Sequence, residues 1–238
     1  MIVPVENIVE TVDLTADDVL LPMMECIVNS VISLQQSDKP AEEKSIQVKI
    51  IRGESPKQVN LDNVKTIESI VITDNGIGFN GKNYKSFETP FSKINKEFGC
   101  KGIGRFTVLA AFENLKARSN YFENDEWHYR EFEFNSSDEL KPIDFKVSDK
   151  KEFKTTVKLS NCFNEIIKEK SALSLIQISE KIMEHCLIYY LNESLPSIVI
   201  YDEENNEVEY INDLFEKVSK EKERTFDVKK KPFKKSFK

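Results

Sequence analysis

The sequence predicts an α+β domain built on a largely antiparallel sheet, and three observations carry that expectation. Leu20, Met24, Ile27, Val28, Val31 and Leu34 recur at three- and four-residue spacing, the period of a helix with one buried face. Short alternating or β-branched apolar segments follow one another through brief polar turns, which favours antiparallel neighbours over strand–helix–strand crossovers. Six of the chain's seven glycines, Gly76, Gly78, Gly81, Gly99, Gly102 and Gly104, crowd between Ile70 and Phe112. Backbone that needs positive φ or close approach to a ligand is expected there.

Bulk properties exclude several classes. With 238 residues, 39% of them apolar, the chain can bury a real core and is not a disordered protein. The opening MIVPVENIVETVDL carries Glu6, Glu10 and Asp13 without a basic region, and no apolar run approaches the ~18 residues of a membrane span. A cytoplasmic protein with no membrane partner is expected. Cys26, Cys100, Cys162 and Cys186 form no C-x-x-C pair, and the only histidines are His128 and His185, so neither a zinc site nor a cysteine–histidine pair is expected. Cys100, beside Lys101 in a glycine turn, is the thiol most open to activation. Net charge is −7, yet residues 217–238 carry ten Lys or Arg against three acids. The acidic body does not look like a nucleic-acid binder, and the basic tail could contact nucleic acid or an acidic partner or serve as a solvated linker.

Taken in order, residues 1–16 read as an extended strap and 17–36 as a helix with Pro22 in its first turn. With the apolar stripe assigned to the core, Glu25 and Asn29 share another face one turn apart. Residues 45–51 alternate as a half-buried strand, 53–65 form a turn-rich connection, and 67–73 form a second strand. The glycine-rich stretch then reads as turn, loop, turn and a helix over 106–112. Further strands are expected at 115–121, 127–134, 145–147 and 155–160, followed by helical structure over 164–191. A hairpin over 197–201 and 208–211 completes a domain spanning 1–215, and 216–238 form a charged helix and a lysine-rich tail or linker. No segment repeats.

Three stretches could carry chemistry. Asp74-Asn75-Gly76-Ile77-Gly78 puts a carboxylate at a strand end before two alternate glycines. Such a carboxylate can accept from an exocyclic amine, Gly76 would let the backbone approach a flat ring, and Gly78 would permit the return turn; the same residues could also make a simple hairpin turn. Gly99-Cys100-Lys101-Gly102-Ile103-Gly104 leads into a helix, where backbone N–H groups reinforced by Lys101 and Arg105 suit an anion. It is neither a Walker loop nor a dinucleotide fingerprint, because the Gly-Lys-Ser/Thr order and the direct strand entry are missing. Asn29 could give an amide oxygen to Mg²⁺ held mainly by phosphates and water, with Glu25 on the same face as a general base.

In this order Glu25-x-x-x-Asn29, Asp74-x-Gly76-x-Gly78, Gly99-x-x-Gly102-x-Gly104 and a late-strand Thr155 resemble the GHKL ATPase superfamily of gyrase, Hsp90, histidine kinases and MutL. The spelling FETPFSKINKEFGCKGIGRF is most similar to bacterial Hsp90-like ATPases. The resemblance covers roughly residues 17–160 and implies the Bergerat two-layer sandwich, a mixed, mostly antiparallel sheet with helices on one face and an ATP lid over residues 79–101. It implies ATP and Mg²⁺ as cofactors, with Glu25 activating water and Asn29 holding the metal. Asp74 and Thr155 would bind adenine, and Lys101, Gly102, Ile103 and Gly104 would meet the phosphates. The lid aromatics Phe79, Tyr84, Phe87, Phe91 and Phe98 would pack the closed lid.

The chain departs from that family at Ile32 and Ser33, where many members carry an acid, and at Lys154, which replaces a glycine and leaves Thr156 as an alternative to Thr155. Neither histidine resembles a phosphoacceptor. The resemblance implies slow ATP hydrolysis coupled to lid closure and to association with a second copy, or with a further domain or protein that supplies a basic residue to the γ-phosphate. The alternatives are a non-hydrolysing nucleotide sensor and a DNA-associated ATPase like MutL or MORC proteins.

Overall fold

The chain begins with two helices, α1 (Val5–Val9) and α2 (Leu21–Gln35). An extended strap was the sequence expectation for residues 1–16, but Val5, Ile8 and Val9 have helical spacing and Pro4 stands at the N-cap, a position that costs no hydrogen bond. Val5 is buried, and α1 packs against the segment 104–109. Helix α2 has Pro22 in its first turn and buries Met23, Cys26, Ile27, Ser30, Val31 and Leu34 in one stripe. The computed structural model describes residues 4–57, 64–92, 102, 104–137, 139–191 and 195–227.

Among the described residues, eight strands form one sheet: β1 (Ser45–Arg52), β2 (Ile67–Asp74), β3 (Phe112–Glu123), β4 (Glu126–Asn135), β5 (Glu139–Val147), β6 (Lys154–Cys162), β7 (Ser197–Asp202) and β8 (Glu207–Tyr210). Their spatial order is β5-β4-β3-β6-β2-β1-β7-β8. Only β1–β7 is parallel; the other pairings are antiparallel, so the sheet is mixed and mostly antiparallel. Strand β5 is longer than the expected 145–147 and runs through Pro142, which an edge strand tolerates because one side needs no ladder donor.

Register turns these strands into rows on one face. Ile50, Ile70, Leu159, Leu115 and Phe134 pair successively across β1, β2, β6, β3 and β4, and Val48, Ile72, Val157, Ala117 and Phe132 form the next row. Both rows face the helices and supply the core. The following row reads Ile46, Asp74, Thr155, Ser119 and Arg130, so the buried face turns polar one step further along the strands. On the opposite face, Lys116 and Arg118 form ion pairs with Glu131. One face packed and one charged is the usual solution for an antiparallel sheet.

The remaining helices are α3 (Gly81–Glu88), α4 (Gly104–Leu109), α5 (Glu165–Lys170), α6 (Leu175–His185), α7 (Leu187–Leu191) and α8 (Ile211–Asp227). The helix expected over 106–112 starts at Gly104 and ends early, because Phe112 already belongs to β3. The expected 164–191 helical region divides into three, with Ser174 and Gln177 forming a capping box where α6 restarts the chain. Helix α8 crosses the expected boundary at 215/216, with Ile211 buried and Leu214, Phe215 and Val218 against the core. Residues 228–238 of the basic tail lie outside the described residues.

Candidate functional site

Where the polar row meets α2, the fold leaves a cavity of about 470 Å³, within the range of small-ligand sites. Its wall includes Glu25, Asn29, Asp74, Gly78, Gly102, Gly104, Arg105 and Thr155, so one space brings together most of the residues singled out from the sequence. Lys101 and Ile103 lie outside the described residues, as do Gly99, Cys100 and positions 93–98 of the expected lid. The described part of that lid contains α3, whose Asn80 cap accepts from the Asn83 N–H. Phe79, Tyr84 and Phe87 pack their rings against Phe132 at 5.0–5.2 Å, and Phe79 and Phe87 also line the cavity.

Asp74 ends β2 and is 4% exposed. Its Oδ1 accepts from the Gly76 N–H at 2.9 Å and its Oδ2 from the Ser30 hydroxyl at 2.8 Å. Burial pushes its carboxyl up to about 6, against the pull of those two hydrogen bonds and of the Lys39 charge. At neutral pH it remains an acceptor, and each oxygen keeps a lone pair for a ligand N–H. Ser30 carries a readable signal, since it is a hydroxyl in an otherwise apolar helical stripe. Ser119 carries none, because only sheet register brings it here.

Thr155 is paired with Asp74 across β2–β6, so both side chains share a face, whereas Thr156 pairs with Thr73 on the other one. The Thr73 and Thr156 hydroxyls meet each other at 3.2 Å, which leaves Thr155 as the threonine that lines the cavity. The Thr155 and Ser119 hydroxyls lie 2.9 Å apart, and Ser119 also accepts from the Phe79 N–H. Gly78 closes this corner at φ +71°, and a Cβ there would sit 2.4 Å from the Ser119 hydroxyl. Gly76 has a different reason to be glycine from the ring approach expected for it. A Cβ at that position would lie 2.7 Å from the Ser33 backbone in α2, and Gly76 does not line the cavity.

Glu25 and Asn29 reach the cavity from α2, with Glu25 half-buried and Asn29 exposed. A Cβ on Gly104 would lie 2.0 Å from Glu25 Oε2, so the Glu25 carboxylate lies against the first residue of α4. Five residues separate Glu25 from Ser30, a rise of ~7.5 Å along α2 that sets a carboxylate near α4 apart from the Asp74 end. Six residues of α4 align few peptide dipoles, so a full positive charge at this end has to come from a side chain. Arg105 supplies one, packed among Phe87, Phe106 and Phe134. Burial pulls its guanidinium down to about 10, which leaves it charged at neutral pH.

Cys26 lines the same cavity, but burial pushes its thiol up to about 12 and removes it as a nucleophile. His185 and Tyr189 contribute to the wall from α6 and α7, unforeseen in the sequence because the long helical region gave no hint of where it folds back. Among the described residues no three His, Cys, Asp or Glu side chains cluster for a metal. At the cavity wall Asn29 could give one amide oxygen to a Mg²⁺ otherwise held by phosphates and water. Nor, among the described residues, is any helix long and apolar enough to cross a membrane. No family model and no curated protein sequence matches the chain.

Proposed function

We propose that this chain binds ATP with Mg²⁺ and hydrolyses it slowly, as an ATPase of the GHKL type with a Bergerat fold. The observation that carries the reading is the buried, still ionisable Asp74 on the floor of a cavity whose other end brings Glu25 against Gly104. Asp74 accepts from the adenine amino group while Gly76 N–H and Ser30 hold its carboxylate in orientation. Thr155, coupled to Ser119, offers the neighbouring hydroxyl to the base or to a water beside it. Asn29 gives its amide oxygen to Mg²⁺, which when bound neutralises charge on the phosphates. Glu25 takes a proton from water as the water oxygen bonds to the terminal phosphorus and the bridging P–O bond breaks, leaving ADP and phosphate.

Residues 79–101 act as the lid, and lid closure favours association with a second copy or a further domain that adds a basic residue to the γ-phosphate. Turnover is expected to quicken on that association. Steady-state phosphate release tests the assignment. Glu25→Gln is expected to lower turnover by at least about 100-fold, the usual range for a general base, with ATP affinity kept within a few-fold. Equal rates for the two proteins remove Glu25 from the mechanism. Tight ATP binding without turnover in either leaves a nucleotide-sensing module in place of an enzyme.

A further inference from the structure

Arg105 is 8% exposed, yet among the described residues it makes no hydrogen bond or ion pair. Its Nε is buried without a partner. The guanidinium carbon lies 5.3 Å from the Phe87 ring centre, 4.8 Å from Phe106 and 5.7 Å from Phe134. Those rings come from α3, α4 and β4, so three separate elements fix the side chain. Aromatic faces attract a cation, but they accept little from its N–H donors, which lie in the guanidinium plane. A side chain needed only to fill this space would be apolar, because burying an unpaired charge is costly. Among the described residues its Nε has no acceptor, and the side chain lines the cavity next to Gly104, where an added Cβ would meet Glu25.

We propose that Arg105 is the residue that makes this cavity select phosphorylated ligands, its guanidinium donating to the phosphate chain of an adenine nucleotide while Phe87, Phe106 and Phe134 hold it in place. The proposal rests on the adenine-nucleotide reading above. It assigns the base end to Asp74 and the discrimination between nucleoside and nucleotide to Arg105. The planar fork suits two phosphate oxygens at once, and the dry surroundings strengthen the contact.

Calorimetric titration of the full chain with adenosine, ADP and ATP, each with Mg²⁺, tests it. The unaltered protein is expected to bind ATP and ADP more tightly than adenosine. Arg105→Met should weaken ATP and ADP about 10- to 100-fold, the effect of losing hydrogen bonds from a charged donor, and leave adenosine within about twofold. If the methionine variant does not fold, Arg105→Gln removes the charge while keeping a planar hydrogen-bonding group, and the same pattern is expected. Equal affinities of the unaltered protein for adenosine and ATP overturn the proposal, and so does an equal loss for all three ligands in the variant, which would make the cage purely structural. Unchanged ATP binding in the variant overturns it as well and leaves the ATPase reading standing. Failure of the unaltered protein to bind any of the three removes that reading and the proposal together.

Discussion

Replacing Asp74 by asparagine should stabilise the ligand-free protein at neutral pH while weakening nucleotide binding. Burial raises the carboxyl from an ordinary 3.8 to about 6. The folded chain therefore binds this proton more tightly than the unfolded chain does, and between pH 3.8 and 6 its stability falls as pH rises. Above pH 6 the full penalty is present, about 3 kcal/mol at 1.36 kcal/mol for each pH unit between the two values. Asparagine carries no such charge. It keeps an oxygen for the Gly76 N–H, but its amide nitrogen then faces the Ser30 hydroxyl that now donates to Oδ2. Reversing or losing that bond costs about 1 kcal/mol, so the net gain is about 2 kcal/mol at pH 7.5.

For a chain of this length that gain is a rise in Tm of about 4–8 °C. Thermal melts of both proteins without ligand, at pH 7.5 and 4.5 and at one ionic strength, measure it. At pH 4.5 the wild-type carboxyl is protonated and the advantage should disappear. Saturating ATP should raise the Tm of the wild type at pH 7.5 and leave that of the variant nearly unmoved, because only a ligand bound to the folded state stabilises it. A variant that is less stable than wild type at pH 7.5, or a gain that is the same at both pH values, refutes the reasoning. Asp74 would then be stabilised in place by more contacts than Gly76 and Ser30 provide.

Three further substitutions probe the frame around the site. Thr155→Val is expected to weaken ATP binding about tenfold through loss of a buried hydroxyl, while Thr156→Val stays within about twofold; the reverse order in calorimetry would contradict the β2–β6 register. Arg52 and Asp202 form an ion pair with side chains 1% and 0% exposed, and Arg52 also donates to the Lys65 and Leu173 carbonyls. Arg52→Met should cost about 3–5 kcal/mol in urea unfolding by leaving Asp202 buried and uncompensated. A loss below about 1 kcal/mol would mean that water reaches the pair.

Helix α2 was legible because Leu20, Ile27, Val31 and Leu34 of the expected stripe are buried at helical spacing, whereas Met24 and Val28 are only partly buried and Met23, Cys26 and Ser30 turn inward in their place. Asp74 was legible for a related reason, since strand, carboxylate and glycines are contiguous. Gly76 shows the limit of such local evidence: the motif marks it correctly as a place for glycine, but the crowding comes from Ser33, more than forty positions away in the chain. The choice between Thr155 and Thr156 could not be made from sequence, because adjacent strand residues point to opposite faces and only the pairing partner decides which of them is inside. The cage around Arg105 was hidden more completely, since Phe87, Phe106 and Phe134 each look like ordinary core residues and only folding turns them toward one guanidinium.

Two apolar rows and one polar row give the site a common origin. The core would be more stable if the pattern of Ile50-Ile70-Leu159-Leu115 and Val48-Ile72-Val157-Ala117 continued into a third apolar row. Instead Asp74, Thr155 and Ser119 stand in that row, small or charged groups that cannot fill the space beneath α2, and the cavity opens there. A buried carboxylate at one end and a guanidinium whose Nε has no partner among the described residues at the other both cost stability in the empty protein. A ligand carrying a donor for Asp74 and an anion for Arg105 would relieve both at once, and local costs of this kind are expected where a fold has been bent to a function.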